Sequence, residues 1–182
     1  MIVVLRRLLP LALLASLLMG IPVASASAAA CPDPKKDGKT IGNVVFGSTV
    51  GDIKSVNYPA GGQLDPPKSP DNVGLSARHM PLSSPVGTSV LVWHVNYNGC
   101  QGRLNSLAKR GVGAKFTVID EKGFEQRYVI TKSLRVAKGK YKAEWFRMEG
   151  ARQLSLFTCT GTVIDGHYTQ NQVLIAVPVP QV

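Results

Sequence analysis

Acidic residues are scarce in this chain: 11 Asp and Glu stand against 21 Lys and Arg, for a formal net charge of +10 at pH 7. Cysteine and histidine occur only three times each. No two of them stand at zinc-ligand spacing, and Asp120, Glu121 and Glu125 are too thin a cluster for calcium, so no metal is expected. Glycine loops that cradle phosphates are also missing, Gly111-Val112-Gly113 reading as a helix exit, and no cofactor is expected. Charged residues make up only 18% of the chain against 45% hydrophobic, which excludes a disordered, charge-rich segment. The basic residues, among them Lys35, Lys36, Lys109, Arg110, Lys138, Lys140 and Lys142, fall in small clusters without aromatic interleaving. They read as solvated faces, and no nucleic-acid partner is expected.

What the chain does have begins with an export pattern. Arg6 and Arg7 precede an apolar run over 8–18 and a small-residue stretch ending Ala28-Ala29-Ala30. That is the layout of a secretory signal, so residues 1–30 are expected to be a signal peptide or a membrane anchor, and the protein to be exported. Gly20 and Pro22 interrupt the run and favour cleavage over spanning. Cys31, directly after the alanines, leaves lipidation as a third option. Residues 31–40 are polar and Pro-bearing and read as a tether, and 41–182 as one domain, about 150 residues being enough to bury a core. Cys31, Cys100 and Cys159 are an odd number, which does not make a disulfide framework. Pairing of Cys100 with Cys159 stays open and would silence Cys159 as a thiol.

The punctuation of 18 Gly and 12 Pro favours many short strands. β-branched stretches at 41–46 and 50–56 read as two strands. The Pro-rich segment 58–78 reads as a structured loop or extended surface path, not helix or central strand. Over 88–95 (TSVLVWHV) a nearly continuous apolar run of strand length ends in Asn and Gly, which puts His94 at a strand exit. Residues 103–110 place Leu104, Leu107 and Ala108 on one helical face, with Gly111 as the C-cap. A hairpin is expected from 114–120 and 124–136 about Glu121-Lys122-Gly123, then strands at 153–159 and 172–179. Seven or eight strands with one helix define an all-β barrel or sandwich.

Cys159 closes the apolar run Leu154, Leu156, Phe157 and opens onto Thr160, Gly161 and Thr162. A cysteine leaving a strand into a small polar loop can present a nucleophile; the bland alternative is an inert buried thiol. An unassisted thiol with a pKa of about 8.5 needs an imidazole or a cation beside it. His79 reads as a loop residue. His94, at the end of an apolar strand, is either satisfied by the fold or working. His167, eight residues beyond Cys159, is a rival partner.

The segment Ser155-Leu156-Phe157-Thr158-Cys159 resembles the Thr-Leu-x-Thr-Cys signature of sortases, with Ser for the first Thr. Val86 to Val95 resembles the strand that delivers their catalytic histidine, with Trp93 where glycine is usual. Gly166 to Ala176 resembles the closing strand of the actinobacterial class F and class E types. The likeness implies a closed eight-stranded sortase-type β-barrel with one or two short helices, on the outer face of a Gram-positive membrane or in the wall. It also implies a cysteine transpeptidase or hydrolase. Cys159 as nucleophile would cleave a Thr-Gly bond of a C-terminal sorting signal through an acyl thioester. His94 would be general acid and then base, and a peptidoglycan or pilin amine would resolve the thioester. A monomer is the expected state. An imidazolium at His94 would make the Cys159 thiol unusually reactive near neutral pH.

One departure bears on activity. The family places an arginine on or just before the closing strand, whereas no Arg or Lys follows Arg152 here. Asn171 or Thr169 falls about where that arginine is expected, as candidate oxyanion or substrate support, and Arg103 or Arg135 are other stand-ins. Loss of a charged donor is worth about 2 to 4 kcal/mol of transition-state stabilisation. The alternative reading is therefore a catalytically weak or inactive sortase-like barrel that binds wall peptides.

Overall fold

A computed structural model describes residues 30–58 and 64–180; the expected signal or anchor lies outside the described residues except for Ala30. Among the described residues no helix is long and apolar enough to cross a membrane. Eight strands close a barrel: β1 (Thr40–Phe46), β2 (Thr49–Val56), β3 (Asn72–Ser76), β4 (Thr88–Val92), β7 (Lys115–Asp120), β8 (Glu125–Ala137), β9 (Gln153–Ile164) and β10 (His167–Pro178). Their order around the barrel is β1-β2-β3-β4-β9-β10-β8-β7, the expected closed all-β architecture. β5 (Asn96–Tyr97) and β6 (Cys100–Gln101) form a separate small hairpin. Among the described residues the single α-helix, α1 (Asn105–Arg110), ends at Gly111, whose φ of 69° is the left-handed geometry a C-cap glycine supplies. Short 3-10 turns cover Pro34–Asp37 and Ala143–Trp145.

Strand alternation feeds two cores. Leu91 of β4, Leu154 and Leu156 of β9, and Leu174 and Ala176 of β10 point into the barrel with Val44, Ile53 and Ile130, and Leu104 and Leu107 from the α1 region join them. Their neighbours Val90, Val92, Phe157, Val173 and Ile175 point outward, yet they are buried in a second cluster under Trp145. Both faces of these strands are thus covered, which explains why their sequences run nearly continuously apolar instead of alternating. β4 and β9 pair in parallel, which requires just such covered faces. Each large side chain fully buried there contributes about 1.5–3 kcal/mol.

Two expectations about the loops are corrected. Within 58–78, residues 72–76 form β3, wholly buried and paired in parallel with β2. The prolines hid it because Pro66, Pro67 and Pro70 all precede the strand. Gly74 lets the chain pass under Val56 and Pro67, since a Cβ there would lie 2.8 Å from Val56. The segment 31–40 is docked rather than free. Asp37 accepts from the Lys68 and Ser69 amides and from Asn72 Nδ2, and Asn72 also donates to the Pro34 carbonyl. Cys31 is bonded to Cys100, with Cα atoms 5.8 Å apart. This bridge is a disulfide where no framework was expected, it closes the Cys100–Cys159 option, and it occupies the sulfur that a lipid thioether would need.

Candidate active site

The last paired rung of β4 and β9 is Val92 opposite Phe157, and His94 and Cys159 each stand two residues beyond it. The ladder continues for one bond, from the Trp93 amide to the Phe157 carbonyl at 3.1 Å. It then closes on a side chain: the Thr158 hydroxyl donates to the Trp93 carbonyl at 2.9 Å in a buried position. The two strand ends are thereby fixed side by side. Beyond Trp93 the chain turns into the β5–β6 hairpin, where the His94 ring packs on Tyr97 at 4.7 Å between centroids. Trp93 is fully buried and joins the barrel core, so the bulky side chain in the place of a glycine closes the interior below the site.

On the other side of Cys159 lies β10. Its register puts Asn171 directly opposite Cys159, and directly opposed residues share a face with Cβ atoms about 4.5–5.5 Å apart. Asn171 Nδ2 donates to the Tyr141 hydroxyl. Thr169, the other candidate, lies at a bulge, where it alone faces Gly161 and Thr162 of β9. It is exposed and lies against Gly161, where a Cβ would stand 2.8 Å from the Thr169 hydroxyl. The structure therefore brings Asn171, and not Thr169, to the cysteine. Neither proposed arginine stands in for the missing one. Arg103 is paired with Asp71 at 2.9 Å, and Arg135 is the rung partner of Gln172, on the opposite face from Asn171.

Cys159 is free and half-buried. Burial pushes its thiol above the ordinary value, and Lys138, at the end of β8, partly offsets this. Burial also lowers His94, against smaller opposing effects of Asp37 and Asp65. No hydrogen bond joins His94 to Cys159 in this geometry. Both shifts lean toward a neutral thiol and a neutral imidazole, the direction opposite to a thiolate–imidazolium pair. Lys138, read as a solvated cation in the sequence, is the cation that acts on the thiol. A lysine one residue past a strand gives no sign of this in one dimension.

Cys159 opens onto an apolar cleft walled by Tyr58, Leu64, Val92, Trp93, Tyr141, Phe146 and Phe157, with Asn171 and Thr158 as polar members. Phe146 stacks on Phe157 at 5.3 Å, and Tyr141 meets both edge-on. Behind this wall His79 packs against Tyr58 and Phe146, with Nδ1 2.8 Å from the Ser76 hydroxyl. His79 is thus part of the wall's support. His167 is exposed near the tip of the β9–β10 hairpin, paired with Ile164, and is no partner for Cys159. The aromatic wall was not legible beforehand, because Tyr58 and Tyr141 come from segments with no periodicity.

The closed eight-stranded barrel has the fold of the sortases. Among solved structures, sortase C1 of Streptococcus agalactiae is 17% identical with a TM-score of 0.60, covering 79% of this chain and 70% of that one. Sortase C-1 of Actinomyces oris is 18% identical with a TM-score of 0.61, covering 79% and 76%. Sortase A of Corynebacterium diphtheriae is 13% identical with a TM-score of 0.60; this chain is covered to 79% and spans 62% of that protein. No protein-family model and no curated protein matches the sequence.

Proposed function

We propose that this protein is an exported, sortase-type cysteine transpeptidase that cleaves a C-terminal sorting signal and transfers the acyl group to a cell-wall or pilin amine. The observation that carries this reading is the placement of one free thiol, Cys159, between the end of the His94 strand and Asn171, at the mouth of an apolar cleft. Cys159 is the nucleophile. His94 takes the thiol proton as sulfur bonds to the peptide carbonyl carbon, then delivers that proton to the departing amine. The thioester left on Cys159 is attacked by the acceptor amine, whose proton His94 accepts and returns to the sulfur. A resting neutral pair suits this sequence, because the proton to be delivered is already present.

The apolar cleft fits the hydrophobic part of a sorting peptide, and the chain's basic surface fits anionic wall polymers and lipid headgroups. Action as a monomer at the outer face of a Gram-positive membrane, after signal cleavage or through an N-terminal anchor, belongs to the same reading. So does an actinobacterial class F or E type, for which the likeness of 166–176 to their closing strand is the support.

The test is mass spectrometry of the protein incubated with a panel of sorting-signal peptides, beside Cys159→Ala and His94→Ala variants. A thioester adduct or a cut Thr-Gly bond seen with the native chain and lost in both variants is expected. Absence of any adduct across the panel would overturn the reading in favour of a barrel that binds without reacting.

A further inference from the structure

The position opposite the cysteine, where the resemblance expects a cation, is filled by two neutral groups bonded to each other. Asn171 faces Cys159 across the β9–β10 rung, and its amide donates to the hydroxyl of Tyr141. Tyr141, in the loop after β8, is 41% exposed and is held edge-on to Phe157 with centroids 5.9 Å apart. All three residues border the same cleft. A phenol carries one proton and can also accept. Because Asn171 donates to the oxygen, the Tyr141 proton is left to point elsewhere, and no described group accepts it. Facing an apolar cleft, a neutral donor avoids the desolvation penalty that an unpaired guanidinium would meet there.

We propose that Tyr141 is a catalytic hydrogen-bond donor to the oxyanion formed when Cys159 attacks an acyl carbonyl, and that Asn171 is the positioning residue that turns the phenol toward it. The inference rests on Cys159 being an acyl-transfer nucleophile. As the C–S bond forms, the carbonyl π pair moves onto oxygen, and Tyr141 stabilises that charge without giving up its proton. When the intermediate collapses, the C=O bond re-forms, the leaving group departs with its bonding pair, and the phenol returns to its resting state. Donors aimed at developing charge act most strongly where water is sparse.

The experiment compares two reactions of Cys159 in the disulfide-intact protein. Acylation by p-nitrophenyl hexanoate builds an oxyanion and releases p-nitrophenolate, whereas iodoacetamide displaces iodide at a saturated carbon and builds none. Tyr141→Phe is expected to slow acylation about 100-fold while alkylation stays within about twofold; Asn171→Ala loses part of the same rate. Asn171→Arg in the Tyr141→Phe background is expected to restore acylation. Native-like acylation of Tyr141→Phe, or an equal fall of both reactions, would overturn the role of Tyr141 and leave Cys159 as nucleophile. A native protein that is alkylated but never acylated would instead sink the acyl-transfer reading itself.

Discussion

The Thr158 hydroxyl donates to the Trp93 carbonyl at 2.9 Å, so the residue before Cys159 holds the residue before His94. Backbone pairing alone would end with the Trp93 amide bond to the Phe157 carbonyl. Thr158→Val keeps the shape and leaves a buried carbonyl unpaired, at a cost of about 1–3 kcal/mol. Each kcal/mol lowers Tm by roughly 2–4 °C for a chain of this size. Thermal unfolding checks this, with Thr158→Ser as the milder control; a Val variant that melts with the native protein would show the bond to be idle.

Lys138 is the cation that lowers the Cys159 thiol against the upward push of burial. The sign follows directly: with the thiol raised, the thiolate fraction at neutral pH is smaller than in free cysteine, and reactivity climbs as pH passes the raised midpoint. Lys138→Gln removes the opposing effect, so the midpoint moves to higher pH and alkylation at neutral pH slows. Iodoacetamide rates measured against pH report both, and a midpoint that stays put or falls would refute the assignment.

Cys31 and Cys100 are 69 residues apart in sequence, and their bridge ties the 31–40 segment to the hairpin that follows His94. Closing a loop of that length in the unfolded chain is worth about 4 kcal/mol in the chain-entropy account. Guanidinium unfolding of the Cys31→Ser, Cys100→Ser double variant is expected at a clearly lower midpoint than the oxidised protein. Coincident transitions would mean the bridge is not closed in the folded protein.

Gly102 lies against the backbone of His94: a Cβ there would stand 1.8 Å from the His94 carbonyl oxygen. Backbone cannot yield as a flexible side-chain tip does, so Gly102→Ala must displace either the hairpin or His94. Acyl transfer at Cys159 is expected to fall about tenfold or more, since ~1 Å misplacement of a catalytic group is costly. Iodoacetamide alkylation, which needs no histidine acid, should change far less. Full acyl-transfer activity in this variant would separate His94 from the chemistry.

Much of the barrel was legible because it rests on local signals. The apolar runs at 88–95 and 153–159, the Gly123 turn and the Leu104–Leu107–Ala108 face each appear as strand, hairpin and helix close to where the sequence puts them. β3 was not legible, because its partner β2 is reached by a crossover whose prolines dominate the local pattern. The lengths of β9 and β10 also escaped. Their outer parts are half-buried or exposed and carry no apolar period, and pairing with each other extends them to Ile164 and His167.

By itself the sequence determined that the domain is built of β-strands with a short helix near 103–110, that Cys159 and His94 close apolar strands, and that no arginine follows Arg152. Those properties depend on residue type and short-range spacing, which one dimension records in full. Tertiary structure decided which strands lie side by side, and therefore that Asn171 and not Thr169 meets the cysteine, that Tyr141 and Lys138 reach the same site, and that Cys31 closes on Cys100. Each of these joins positions far apart in the chain or selects between near neighbours by register. A one-residue slip or bulge reverses which face a side chain takes, and only the closed barrel fixes it.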